Sequence, residues 1–130
     1  TIIPAFVMKD GEPFMSFGLM GGAMQPQGHV QVLVNIIDFG MDVQTAGDAA
    51  RFNHDGGRQP TGVDEDLLGM LLVEPGVPPE TVEQLRAMGH RVEVDATGAP
   101  FGGYQAIMRL PDSVYVGATE MRKDGTVVAW

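Results

Sequence analysis

The chain has 130 residues and a formal net charge of −9, with 44% hydrophobic and 19% charged residues. That balance belongs to a globular chain rather than a disordered one, and the length allows one domain at most, or a piece of one. Its eight cations are scattered and form no stripe, which argues against a nucleic-acid partner; the absence of Cys excludes a disulfide, a thiolate nucleophile and a cysteine metal site. A cysteine-free chain fits either a reducing or an oxidising compartment. No apolar run approaches the ~20 residues that span a bilayer, and the opening TIIPAF lacks the basic start of a signal peptide. Thr1 stands where an initiator Met would, so the chain is expected to begin at a processing, cloning or ordering boundary.

Ile2 to Met8 is β-rich, Lys9-Asp10-Gly11-Glu12 is a turn centred on Asp-Gly, and Phe14 to Gly18 is apolar again. Two apolar runs about Asp-Gly predict a β-hairpin. A glycine pair, Gly21-Gly22, then interrupts the chain. The most apolar run of the sequence follows, predicting a helix from about Gln25 to Phe39 that Gly40 stops. Val30, Val32, Leu33, Val34, Ile36, Ile37 and Phe39 leave it almost no polar face, so this helix is expected to be packed on each side. Asp42 is placed to cap a second short helix carrying Val43, Ala46, Ala49 and Ala50.

From Arg51 to Asp66 the chain turns polar and glycine-rich; Phe52 is expected to close a short strand, and the stretch after it to form a surface loop. Met70 to Glu74 reads as a strand. Pro78-Pro79-Glu80 opens a helix with Val82, Leu85 and Met88 along one face and Gly89 at its end. Val92 to Val94 is a short strand, and Gly98 to Gly103 is a second glycine-rich turn. Tyr104 to Leu110 and Val114 to Ala118 form another hairpin about Pro111-Asp112. Asp124-Gly125 marks a turn before the apolar end. About three or four helices and six or seven strands, grouped rather than alternating, predict an α+β fold with mainly antiparallel pairing. No repeat and no linker is visible.

His29, His54 and His90 are far apart, and none stands at i, i+4 from another or beside a helical Glu as a zincin requires. They read as structural or surface residues, although His54 with Asp55 offers two metal-ligating side chains. Ser16 and Ser113 lie in strand contexts without a nucleophile elbow, and Asp64, Glu65 and Asp66 read as a solvated loop. An N-terminal Thr can serve as nucleophile and, through its own α-amine, as base, which makes Thr1 a candidate. Gly21-Gly22 has two readings: a turn needing positive φ before a helix, or an oxyanion site whose backbone N–H groups stand at a helix N-terminus. Gly-Gly alone does not choose between them.

Together these residues resemble the C-terminal part of the small subunit of the γ-glutamyltransferase (γ-glutamyltranspeptidase) family. IIPAFVMKDGEPFMSFGLMGG, HVQVLVNIIDFGMDVQTAGDAARF, LLVEPGVPPETVEQLRAMGHRVEV, GGYQAIMRL and VYVGATEMRKDG stand in the family's order. That order is a hairpin ending in Gly-x-x-Gly-Gly, a helix ending near N-x-I-D-F-G-M, an A-x-x-A-P-R-F-like stretch, and G-H-x-V. The bacterial γ-glutamyltransferase-like proteins are the most similar members.

The resemblance implies part of an N-terminal-nucleophile hydrolase with an αββα sandwich. Such a precursor cuts itself before a Thr, which attacks γ-glutamyl amides such as glutathione to give an acyl-enzyme. Water or an acceptor amine then takes the acyl group, and neither a metal nor an organic cofactor is called for. The family's Thr lies upstream of this chain, so Thr1 falls instead at the second Ser of a Ser-Ser-Met-x-Pro motif that holds the substrate α-carboxylate. Gly21 and Gly22 take the place of the oxyanion pair, with Leu19-Met20 where the family commonly has Ser-Pro. The expected partners are the rest of the same protein and a small γ-glutamyl substrate, with self-association where the piece leaves open edges. A cephalosporin or glutaryl acylase-like amidase of the same fold and a non-catalytic interaction domain are the alternatives.

Overall fold

The computed structural model describes residues 2–56 and 69–130. In chain order these form β1 (Ile2–Lys9), β2 (Glu12–Met20), α1 (Met24–Ile37), α2 (Val43–Asp48), β3 (Phe52–Asp55) and β4 (Met70–Val73). There follow α3 (Pro79–Ala87), β5 (Val92–Val94), a 3₁₀ turn (Ala99–Phe101), β6 (Gly103–Arg109) and β7 (Tyr115–Thr119). They group into two compact units, Thr1–Ala49 with Gly102–Trp130, and Ala50–Phe101. Thr1 itself, the Asp64, Glu65 and Asp66 run and most of the expected polar loop lie outside the described residues.

The first unit is a four-stranded sheet in the order β1-β2-β6-β7, with every neighbour antiparallel. The β1–β2 hairpin forms where Asp-Gly predicts it, because Asp10 (φ 53°) and Gly11 (φ 82°) both supply the positive φ that a tight primed turn requires. Pro4 is tolerated because β1 is an edge strand, where a missing N–H costs no ladder bond on the outer side. Alternation then sorts the two central strands. Met15, Phe17 and Leu19 of β2 and Tyr104, Ala106 and Met108 of β6 point to one face, where they are buried with Met24 and Val32 of α1 and Val43 of α2. Gly28 and Gly47 allow the helices to come close. A Cβ on Gly28 would stand 2.6 Å from Leu19 Cδ1, and one on Gly47 would run into the Tyr104 ring.

The helix α1 is shorter and less enclosed than its composition suggests. It ends at Ile37, and Gly40 (φ 67°) serves the following turn, in which Met41 N–H reaches back to the Asn35 carbonyl at 3.0 Å. Only Met24, Gln25, Gly28 and Val32 are buried, whereas Val30 and Ile37 are more than half exposed. One sheet face and α2 cover part of the helix, and Val30 and Ile37 stand on the side left exposed. As expected, Asp42 caps α2, accepting from the Gln44 and Thr45 N–H groups at 2.9 Å each.

At the other end of α2, Arg122 donates to the Gly47 and Ala49 carbonyls at 2.9 Å and pairs with Glu120 at 2.9 Å; both charged side chains are buried. A cation at a helix C-terminus satisfies orphan carbonyls. This anchoring also explains a shift: the turn expected at Asp124-Gly125 falls earlier, at residues 121–123, where Arg122 is held.

In the second unit the sheet order is β3-β4-β5, antiparallel and then parallel, with α3 as the crossover between the parallel strands. Val73, Val82 and Val92 form its core, with Leu71, Val77 and Leu85 against them. Phe52 opens β3 rather than closing a strand, because Asn53, His54 and Asp55 are drawn into pairing with Leu72, Leu71 and Met70. Met88 is not on the core face: α3 ends at Ala87, and Met88 is 73% exposed. Arg51 is buried, its backbone N–H donating to Glu74 at 2.7 Å and its guanidinium to the Phe101 carbonyl at 2.8 Å.

Candidate active site

The turn between β2 and α1 is made by residues with little or no side chain. Gly21 has φ 134° and Gly22 φ 61°, and Ala23 leads into the helix without any side-chain cap. The helix start is capped by backbone instead: Met24 N–H donates to the Gly21 carbonyl and Gln25 N–H to the Gly22 carbonyl, each at 3.1 Å. Pro26, the third helical residue, has no N–H to satisfy. The donors that ordinarily stay orphaned in a first turn are therefore accounted for from Met24 onward.

That arrangement sets the direction of the glycine N–H groups. No peptide bond among the described residues is cis, so each N–H points opposite to the carbonyl of its own peptide. The Gly21 carbonyl is turned toward Met24, so the Gly22 N–H looks away from the first helical turn. The Met20 carbonyl is turned toward Gly102, into the space that a Cβ there would take, so the Gly21 N–H looks away from Gly102. Gly21, Gly22 and Ala23 are all exposed. The result is an accessible pair of successive backbone donors at the positive end of a helix, a setting that stabilises an anion or a developing oxyanion.

Two residues hold this turn that the sequence did not single out. Gly102 (φ 72°) lies against it, and a Cβ on Gly21 would stand 2.9 Å from Gly102 Cα. The glycine-rich stretch Gly98 to Gly103 was legible as a turn, but nothing local connects it with Gly21, more than half the chain away. Gln25 is 5% exposed; its Oε1 accepts from Ile3 N–H at 2.5 Å and its Nε2 donates to the Gly22 carbonyl at 3.2 Å. The same helix also carries Gln27 and Gln31, and nothing local marks Gln25 as the buried one.

The histidines do not join the turn. His29, on α1, packs its ring 4.9 Å from that of Phe17, and burial lowers its pKa. His54 and His90 are exposed, in β3 and after α3. Among the described residues no group of three or more His, Asp or Glu is placed to hold a metal ion. No helix among them is long and apolar enough to cross a membrane.

The fold defines a class. This is an α+β chain with mainly antiparallel strands, part of the sandwich of an N-terminal-nucleophile hydrolase. The chain belongs to the gamma-glutamyltranspeptidase family, whose model matches residues 1–130. It is 34% identical to the glutathione hydrolase proenzyme of Escherichia coli over 122 residues, which is 94% of this chain and 19% of that protein. A cephalosporin acylase from Bacillus halodurans is 40% identical and superposes with a TM-score of 0.83, over 98% of this chain and 22% of that one. The gamma-glutamyltranspeptidase T380A mutant of Helicobacter pylori is 28% identical with a TM-score of 0.75, over 95% of this chain and 61% of that one. The chain spans roughly a fifth of the length of the curated relatives it matches, 19% to 23%.

Proposed function

We propose that this chain is the C-terminal portion of the small subunit of an enzyme that transfers or hydrolyses γ-glutamyl groups through a Thr acyl-enzyme, with Gly21 and Gly22 as its oxyanion donors. The observation that carries the reading is the glycine turn. Its carbonyls are taken up by α1, and its N–H groups are turned outward at the helix N-terminus. In the proposed reaction the hydroxyl of a Thr upstream of this chain attacks the γ-amide carbon. The carbonyl oxygen gains charge beside the two N–H groups. Collapse then expels the amine and leaves the γ-glutamyl ester, which water or a second amine resolves. Thr1 is assigned the substrate α-carboxylate, on the strength of its place before Pro4. Membership of the family supports the reaction class, and the proenzyme relatives support self-cleavage of a longer precursor.

The test replaces Gly22 by glycolic acid in the full-length protein, an amide-to-ester change that exchanges its N–H for an oxygen and adds no side chain. Losing an oxyanion donor costs roughly 10²–10³ in kcat, about 3–4 kcal/mol, whereas a turn with no catalytic part loses only stability. A normal kcat on γ-glutamyl-p-nitroanilide, with reduced abundance as the sole defect, would leave Gly22 as a turn residue and no more.

A second reading keeps the fold and the oxyanion turn but changes the acyl group. The 40% identity to the Bacillus halodurans cephalosporin acylase favours a glutaryl or related amide. Measuring kcat/KM for γ-glutamyl and glutaryl amides side by side separates the two, since both acyl groups carry the distal carboxylate and only the γ-glutamyl group carries the α-amine.

A further inference from the structure

We infer that Gln25 is a positioning residue that fixes the Gly21-Gly22 turn, an inference that rests on the oxyanion role proposed for that turn. Gln25 is one of the few polar side chains buried in this unit, and it stands in the first turn of a helix whose other buried residues are Met24, Gly28 and Val32. Burying an amide is unfavourable unless both of its ends are bonded, and here both are. Oε1 accepts the N–H of Ile3, on the edge strand β1, at 2.5 Å. Nε2 donates to the Gly22 carbonyl at 3.2 Å, and that carbonyl also takes Gln25's own backbone N–H at 3.1 Å. One residue thus supplies both donors to a single carbonyl of the turn.

The arrangement matters because of what flanks it. Gly22 sits in the left-handed region and has no side chain, so its two peptides rotate more freely than those of any other residue type. A Cβ on Gly22 would meet no atom within 4 Å, so no neighbouring packing restrains it from that side. The hold comes from the two carbonyls: Met24 N–H fixes that of Gly21, and Gln25 fixes that of Gly22 twice. Through Ile3 the same side chain ties the helix start to β1, which pairs along β2 to the residue just before the turn. Gln25 therefore joins β1, the end of β2 and the start of α1 at the point where the outward N–H groups must be aimed. Because it acts through the backbone of the turn, its removal changes the chemical step more than substrate binding.

The experiment compares Gln25→Met and Gln25→Glu with wild type in the full-length protein, measuring kcat and KM on γ-glutamyl-p-nitroanilide from acid to alkaline pH. Gln25→Met keeps the length of the side chain but neither bond; kcat should fall about tenfold or more at every pH with KM little changed, a part of the ~10²–10³ that a lost donor costs. Gln25→Glu retains an acceptor for Ile3 but, when ionised, has no proton for the Gly22 carbonyl and repels it. Protonated, it donates again, so kcat relative to wild type should recover as the pH is lowered. Wild-type kcat in both variants overturns the inference. So does a loss that follows the folded fraction by thermal melting while the pH profile stays that of wild type. The two proposals fail separately: an undiminished kcat when the Gly22 amide is replaced by an ester removes the oxyanion reading and this inference with it. A crippled Gly22 ester beside fully active Gln25 variants removes this inference alone.

Discussion

His29 shows how a single residue can couple stability to pH without taking part in chemistry. Its Nε2 is buried with no hydrogen-bond partner among the described residues, and the ring lies 4.9 Å from Phe17. Burial disfavours the imidazolium, so the folded pKa falls below the ordinary 6.5. The unfolded chain therefore binds more protons than the folded one in the window beneath pH 6.5. Stability should be unaffected by this group above that window and should decline as the pH falls through it. Comparing thermal midpoints of wild type and His29→Gln at pH 7.5 and about pH 5 checks the sign, since the lowered pKa predicts that the variant loses less on acidification. An equal loss in both proteins would show that the imidazole is solvated enough to titrate normally. The same scale holds the contrast between Gly22 and Gly21. Both need positive φ, but a methyl on Gly22 meets open space and one on Gly21 meets the Gly102 backbone. Gly22→Ala should therefore cost only about 1–2 kcal/mol of left-handed strain, with no collision and its N–H kept, whereas Gly21→Ala adds the collision.

At the scale of elements, α1 tests whether close approach or helix propensity decides. Gly28 is in the middle of the helix, where Ala is better by ~1 kcal/mol. Against that, its Cβ would stand 2.6 and 2.8 Å from the two methyl carbons of Leu19, which is fully buried and has nowhere to swing. Overpacking of this kind costs roughly 1–3 kcal/mol, so packing should win and Gly28→Ala should lower the thermal midpoint. A raised midpoint would mean that helix and sheet can separate slightly without loss. Legibility in the sequence divides along the same line. The β1–β2 hairpin was readable because Asp10-Gly11 carries its own geometry, and so was the Asp42 cap, because its partners are two and three residues away. The burial of α1 was not: Val30 and Ile37 are as apolar as Val32, and only the place of the sheet decides which of them is covered. The candidate site divides likewise. Gly21-Gly22 announces itself, but Gly102 and Gln25 acquire meaning only when strands distant in sequence are brought together.

The whole chain poses the question of what a piece of this size can do unaided. The first unit presents two apolar surfaces. One is the outer side of α1, with Val30 at 61% and Ile37 at 62% exposure; the other is the sheet face away from the helices, with Phe6 at 62% and Ile107 at 55%. Gly117 admits Val127 of the C-terminal segment to part of that second face, leaving a cavity of about 360 Å³ lined by Ser16, Gln105 and Ile107 among others. Exposed apolar faces of this kind mark surfaces that another body covers, and β1 and β7 are both sheet edges, capped by side chains at Ile3 and at Thr119. The net charge of −9 opposes indiscriminate clumping but does not remove those faces. The isolated 130-residue polypeptide should therefore associate as its concentration rises and should show no turnover of γ-glutamyl-p-nitroanilide. Sedimentation velocity over a concentration series reads the first expectation, and a spectrophotometric assay reads the second. The two outcomes carry different information. A strictly monomeric chain would mean that its faces are covered by its own residues in solution. Measurable turnover would mean that a nucleophile lies within the chain, and it would return Thr1, with its free α-amine, to the role denied it by its place before Pro4.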